Sequence, residues 1–480
     1  MPSPGPLLLL LLAALFGLAS SRHGLHDDND NDGNWPAAPA TAFSLPIEGD
    51  AEPPLSLQQR SGPLELARTY LKYGTPLSSP QLNDLLVQED LDIAVITTNI
   101  TASSSSRQRK RWPAPSAPLS SQLGFRGGRE YLIEAHVGTP PQRLNLLLDT
   151  GSSDLWVFSS SDTPAHAVGR RPRYSPSRSS TARRADGDTW AVAYGTGTGT
   201  GTGTGRGRRR TAVGGIVYRD NVTVGRVTVL RQPVEAVQVL THRVELGMNA
   251  SGVLGLGFDE FNKVRPRARR TWFSKARHNF KESLFTTRLV KEKGTCDFGY
   301  IDPSKHKGNI TYTPVIGDNT TIGRWSWSST GYQVGRGPFV AQHIHGVADT
   351  GSSLILLPQR IVDDYWARVP GAKRVRAMGG YTFPCGEELP DFTFGVEEQR
   401  FTVPGAAMQA TRRTRSSSTS SRAGGEGDQG VGGSSAAAGR CFGVIQGNGG
   451  GVTVWGNPAL QTAFVVWDVG RRRLGWAHPA

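Results

Sequence analysis

The sequence predicts a mostly β protein of two related, β-rich lobes with a cleft between them. Three observations lead there. Short β-rich runs alternate with turns from about residue 127 onward. Few long amphipathic helical stretches interrupt them. A seven-residue motif appears twice, its copies 200 residues apart. At 480 residues the chain is long enough for two sizeable cores, and 37% hydrophobic and 8% aromatic residues are sufficient to fill them.

The chain opens on six leucines, Leu7 to Leu12, extended by Ala13-Ala14-Leu15-Phe16, with Ala19, Ser20 and Ser21 behind them. A short apolar run followed by small residues and then a polar segment reads as a secretory signal over 1–21. No later segment is apolar enough to span a membrane. Residues 22–111 read as a propeptide. They begin with an acidic run, Asp27 to Asp32, and hold helical promise at Leu64 to Leu71, just after Pro63. They end at Arg107-Gln108-Arg109-Lys110-Arg111, a dibasic site in a serine-rich stretch that suits a furin/kexin-type processing protease.

Charge divides at that point. Residues 22–111 carry 8 Lys+Arg and 12 Asp+Glu, a net of −4, and the rest of the chain carries +18. A body this basic should adhere to polyanions. Its runs, Arg206 to Arg210 and Arg412-Arg413-Thr414-Arg415, sit in low-complexity sequence with no nucleic-acid-binding motif, so no specific nucleic-acid partner is expected. Three Cys and ten scattered His lack ligand spacing, so neither metal nor cofactor is expected.

The β pattern begins with Glu130 to Val137, turns at Gly138-Thr139-Pro140-Pro141 and resumes at Leu144 to Leu148. Ile216 to Tyr218, Val222 to Leu230, Val234 to Leu240 and Thr453 to Trp455 continue it. The repeat is Leu147-Leu148-Asp149-Thr150-Gly151-Ser152-Ser153, recurring as Val347-Ala348-Asp349-Thr350-Gly351-Ser352-Ser353. Each copy approaches along an apolar strand and sets an Asp before a turn. Asp-Thr-Gly-Ser is ordinary turn chemistry when it occurs once. Two copies with matching flanks predict that each lobe gives one carboxylate to a central cleft.

Two carboxyls brought close cannot both ionise readily, so they share a proton. One then acts as general base on a water and the other as general acid on a carbonyl oxygen. The pair titrates as a unit, and neither role is fixed to one residue. Gly151 and Gly351 suit tight backbone around each Asp. Thr150, Ser152, Thr350 and Ser352 offer hydroxyls expected to bond the carboxylates and hold them coplanar.

With these motifs the chain resembles the pepsin family of aspartic endopeptidases, in particular its fungal penicillopepsin/aspergillopepsin-like branch, over roughly residues 130–480. Trp190 to Gly197 looks like the family's substrate-covering flap, with Tyr194 as its tyrosine. The resemblance implies that Tyr194 bonds the indole of Trp156, and that Ser152 bonds the first aspartate. It places Tyr194, Gly195, Thr196, Gly151, Gly351 and Thr350 at the substrate. It makes Asp149 and Asp349 catalytic, with Thr150, Ser152, Ser352 and Trp156 as support. Val253-Leu254-Gly255 and Val454-Trp455-Gly456 resemble the segments beneath the two active-site loops. Asp154 stands where pepsin has asparagine, as in the fungal branch. Cys385 and Cys441 fall where the family has a disulfide, leaving Cys296 as a buried free thiol. Ala67 to Gly74 resembles the prosegment around its inhibitory lysine, here Lys72.

The resemblance further implies a pepsin-like bilobal monomer, with an N-terminal lobe over 112–308 and a C-terminal lobe over 309–480. It would be a glycosylated, secreted, extracellular zymogen, or alternatively a vacuolar one, cutting peptides near hydrophobic residues at acid pH. Its own propeptide would be its inhibitor. Three features depart from the family: a Gly-Thr run from Gly195 to Gly205 in the flap, the absence of an acid at Thr196, and a basic body paired with an acidic prosegment. The odd flap also keeps open a pepsin-fold binding protein without activity.

Overall fold

The computed structural model describes residues 43–49, 61–73, 75, 130–161, 163, 171–194, 211–240, 250–290, 293–317, 321–411 and 439–480. The expected signal and the dibasic site lie outside them. The described chain is mostly β. Its strands form a 14-stranded, a 7-stranded and a 4-stranded sheet, and its longest described helix is Ser61–Lys72. Among the described residues no helix is long and apolar enough to cross a membrane.

The sequence repeat is a repeat of fold. Strand Gln142–Asp149 carries the first Asp out of a hairpin with Tyr131–Val137. It runs parallel to Gly252–Gly255, with Leu148 opposite Leu254 and Asp149 opposite Gly255. Leu155–Phe158 then returns antiparallel to Gly252–Gly255 and continues parallel to Val227–Leu240. In the second half, Val340–Ala348 leads to Asp349 and runs parallel to Val454–Trp455. Ile355–Leu357 returns antiparallel to Val454–Trp455 and parallel to Ile445–Gly447. Burial explains the unbroken apolar runs. Leu155 to Phe158 and Ile355 to Leu357 are buried at every position, so they do not alternate.

Three features differ from the sequence reading. Val222 to Leu230 is a hairpin and not one run, because Gly225 turns the chain at φ +59 between Thr211–Val224 and Val227–Leu240. The expected lobe boundary at 308/309 falls inside strand His306–Pro314, which pairs with the C-terminal strand Arg473–Pro479. Phe464–Asp468 likewise pairs with Leu284–Leu289, so the large sheet joins both halves of the chain. Trp325, Phe285 and Trp467 pack at that junction, with ring centroids 5.3 to 6.0 Å apart.

The third is a strand inside the expected propeptide. Phe43–Gly49 lies between Lys293–Phe298 and Tyr131–Val137, antiparallel to both. Helical promise at Leu64 to Leu71 resolves as helix Ser61–Lys72, with Pro63 in its first turn where a missing N–H costs nothing. Leu66, Tyr70 and Tyr73 bury in one cluster with Phe442 and with Val347, Leu354 and Leu356, which flank the second Asp.

Candidate active site

Parallel pairing with Gly252–Gly255 and Val454–Trp455 brings Asp149 and Asp349 to the ends of buried strands, and both are buried themselves. Each carboxylate is held the same way. The Gly151 N–H donates to Asp149 Oδ1 at 2.9 Å, and the Ser152 hydroxyl donates to Oδ2 at 2.6 Å. The Gly351 N–H donates to Asp349 Oδ1 at 2.9 Å, and the Ser352 hydroxyl donates to Oδ2. Glycine is required at both turns. A Cβ on Gly151 would lie 2.5 Å from Asp349 Oδ1, and one on Gly351 would lie 2.5 Å from Asp149 Oδ1. Each glycine leaves room for the opposite carboxylate, so the two motifs interlock.

The threonines do something other than expected. Thr150 Oγ1 donates to the Ala348 carbonyl at 3.1 Å and accepts from the Thr350 N–H at 3.0 Å. Thr350 Oγ1 donates to the Leu148 carbonyl at 2.6 Å and accepts from the Thr150 N–H at 3.1 Å. These bonds cross from one half to the other beneath the carboxylates and do not touch them. Thr350 is fully buried, and its own carbonyl accepts from Asn457 Nδ2 at 2.9 Å. It fastens the two loops together.

Three expected residues lie partly or wholly outside the described part of the chain. Gly195 and Thr196 are outside the described residues, as is the side chain of Tyr194. The backbone of Tyr194 ends a strand paired with Thr211. The expected Tyr194–Trp156 bond therefore lies outside as well. Trp156 itself is buried, stacked on Trp190 at 6.2 Å and edge-on to Phe158 at 5.4 Å. Cys385 and Cys441 are disulfide-bonded, with Cα atoms 4.9 Å apart, and Cys296 is free and buried.

The space between the carboxylates is filled by Lys72 and Tyr73, at the end of helix Ser61–Lys72. Lys72 Nζ donates to Asp149 Oδ1 at 2.7 Å and to both oxygens of Asp349 at 2.9 Å. The Tyr73 hydroxyl donates to Asp349 Oδ2 at 2.8 Å. Burial works against the Lys72 charge, but the two carboxylates outweigh it and raise its pKa. Burial would also raise Asp349, yet the Lys72 ammonium and the Ser352 hydroxyl hold it well below the usual carboxylate range. Burial pushes Asp149 up against the pull of the same ammonium, and the charge on Asp349 adds to the rise. With Lys72 in place the two carboxyls therefore sit in unlike environments.

Further contacts of this helix were not read from the sequence. Tyr70 donates its hydroxyl to the Gly447 carbonyl, and Glu65 Oε2 accepts from the Ser353 hydroxyl at 2.9 Å. Both sit on the helix face that meets the second motif, but nothing in sequence spacing pairs residue 65 with residue 353.

Comparisons with known proteins bear on this geometry. A sequence model of the eukaryotic aspartyl protease family matches residues 130–479. This chain belongs to the eukaryotic aspartyl proteases. The protease is 37% identical to endothiapepsin of Cryphonectria parasitica over 410 residues, covering 85% of this chain and 84% of the relative. It is 37% identical to penicillopepsin-3 of Penicillium janthinellum over 354 residues, 72% of this chain and 78% of the relative. Its fold is similar to the crystal structure of an aspartic proteinase from Irpex lacteus, with a TM-score of 0.54 at 20% identity, covering 73% of this chain and 94% of the other. It is an aspartic-type endopeptidase with the β-rich fold of that family, as its sequence motifs imply.

Proposed function

We propose that the protease is made as a zymogen, and that Asp149 and Asp349 are its catalytic pair. The observation that carries the reading is the single ammonium of Lys72 bonded to both buried carboxylates. Two carboxylates that share one cation can share one proton once the cation leaves. In the freed pair, the ionised member takes a proton from a bound water. The resulting hydroxide adds to the scissile carbonyl carbon while the protonated member donates to the carbonyl oxygen. Collapse of the tetrahedral adduct breaks the C–N bond, and a carboxyl proton passes to the leaving nitrogen. Ser152, Ser352 and the two glycine N–H groups keep the carboxylates oriented, and the crossed threonines keep the loops in register.

Lys72 blocks this chemistry by occupying the water's place and charge-pairing the acids. The ion pair persists while the carboxylates are ionised. Because Asp349 is held below the usual range, its stabilising contribution is present above the unfolded value and fades as pH falls through the folded one. Acid below about pH 3.8 therefore loosens the prosegment and activates the enzyme. Cleavage after Lys110-Arg111, secretion to the outside of the cell, and peptide substrates with hydrophobic residues around the cut complete the proposal. The test is peptide cleavage by the processed protein across pH 2.5–7, with and without pepstatin, beside Asp149→Asn. Pepstatin-sensitive activity at acid pH that is absent from the variant is expected. Correctly processed, folded protein without activity would overturn it.

A further inference from the structure

The residue after the inhibitory lysine has a neighbour that neither the catalytic pair nor the zymogen contacts explain. The Tyr73 ring lies beside Arg324, whose guanidinium carbon is 4.9 Å from the ring centroid. The same guanidinium is 4.0 Å from the centroid of Phe261. Lys263 Nζ sits 3.6 Å from that Phe261 ring. Arg324 is only 7% exposed. A cation this desolvated interacts with an aromatic face more strongly than it would in water.

The arginine is fixed from below. Its N–H donates to the Thr321 carbonyl at 3.1 Å, and its carbonyl accepts from Ser326 at 2.9 Å. On one side Gly323 accepts from the Phe258 N–H at 3.0 Å; on the other, buried Trp325 donates its indole N–H to the Leu256 carbonyl at 2.8 Å. Gly323 has φ +75, and a Cβ there would come within 2.8 Å of Phe261 Cβ. Glycine alone lets this turn press its arginine against the phenylalanine. Burial lowers the pKa of Lys263 to about 8, whereas a guanidinium stays charged throughout.

Tyr73 also bonds Asp349, so its seat borders the catalytic carboxylates. Once the prosegment leaves, a substrate residue next to the scissile bond takes that seat, with Arg324 as part of its wall. We propose that Arg324 determines specificity at this subsite, favouring an aromatic side chain over an aliphatic one of the same size. The proposal rests on the endopeptidase reading above.

The test uses the processed enzyme and matched peptides in which each residue flanking the cut is varied in turn among Phe, Tyr, cyclohexylalanine, Leu and Glu. At one of the two positions, kcat/KM for Phe is expected to exceed that for cyclohexylalanine by about 2- to 30-fold. That ratio should fall to near one in Arg324→Met and be partly kept in Arg324→Lys. A ratio within one preparation does not depend on the active fraction. If Arg324→Met yields no folded enzyme, the ratio in the unaltered enzyme decides alone. A ratio near one at both positions, or one unchanged by Arg324→Met, overturns the proposal. Preference for Glu over Phe overturns it in favour of charge pairing. Cleavage of the Leu peptide with a ratio of one sinks only the role of Arg324, whereas failure to cleave any peptide sinks the endopeptidase reading with it.

Discussion

Asp154 should make the protease lose stability toward neutral pH, and Asp154→Asn should remove that loss. The side chain is 2% exposed. Its Oδ1 accepts from Asn262 Nδ2 at 2.9 Å and from the Lys263 N–H at 2.7 Å. The same Asn262 nitrogen donates to Glu235 Oε1 at 2.9 Å, so two buried carboxyls share one donor. Burial, more than the nearby charge of Asp149, lifts Asp154 from 3.8 to about 6. Burial and then the charge on Asp154 push Glu235 well above the usual range. A carboxyl whose folded value is raised binds its proton more tightly when folded, so stability is full below pH 3.8 and falls as pH rises through about 6. The gap of about 2.2 pH units at about 1.4 kcal/mol each gives a loss of about 3 kcal/mol. Asn keeps the accepting oxygen and does not titrate. With an unfolding entropy of roughly 0.7 kcal/mol/K for a domain this size, the loss equals about 4 °C in Tm. Tm would be followed from pH 4 to 8 in both proteins, processed and bound to pepstatin to stop self-digestion. The unaltered enzyme should fall by about 4 °C more than the variant. Parallel curves would refute the argument.

Three further outcomes rest on the same contacts. Lys72→Ala leaves two carboxylates without their cation, and breaking a buried pair costs about 3–5 kcal/mol, so self-activation near pH 5.5 should quicken roughly tenfold or more; an unchanged rate of band conversion on a gel would remove the inhibitory role. Gly351→Ala puts a Cβ 2.5 Å from Asp149 Oδ1 and should cut kcat/KM about 100-fold, counted per pepstatin-titrated site; activity within threefold of the original would show that the loops have slack. The Cys385–Cys441 bond spans 56 residues, and closing a loop that long is worth about 4 kcal/mol, so Cys385→Ala with Cys441→Ala should lower Tm by several degrees; an equal Tm would mean that the intervening segment is constrained by other means.

What the sequence made legible was whatever is encoded within a few residues. An apolar strand, an Asp and a Gly-Ser turn are local, and the structure arranges both copies alike, down to the glycine N–H on each carboxylate. The threonines show the limit. Their hydroxyls are adjacent in sequence to the carboxylates they were expected to bond, but their partners lie 198 to 202 residues away. Strand Phe43–Gly49 was hidden for a different reason. Pro46 argues against a strand with neighbours on both sides, and at Pro46 the pairing is one-sided, opposite Thr295 alone; a second neighbour begins only at Glu48. Arg324 carries no local signal at all. It is one arginine in a basic chain, and only the fold sets it between Phe261 and Tyr73.

That difference has a physical root. Each carboxylate is oriented by its own turn, so the residues that hold it cluster into a motif. Selecting a substrate needs a wall assembled from several elements, so its residues are scattered and each looks ordinary alone. On the proposed reading, the end of helix Ser61–Lys72 makes that wall visible, because Lys72 bonds the acids and the next residue, Tyr73, sits beside them. A segment seated beside the acids thereby shows which side chains a neighbouring residue meets there. Its contacts are the place to look for specificity in a chain whose catalytic residues are read at once.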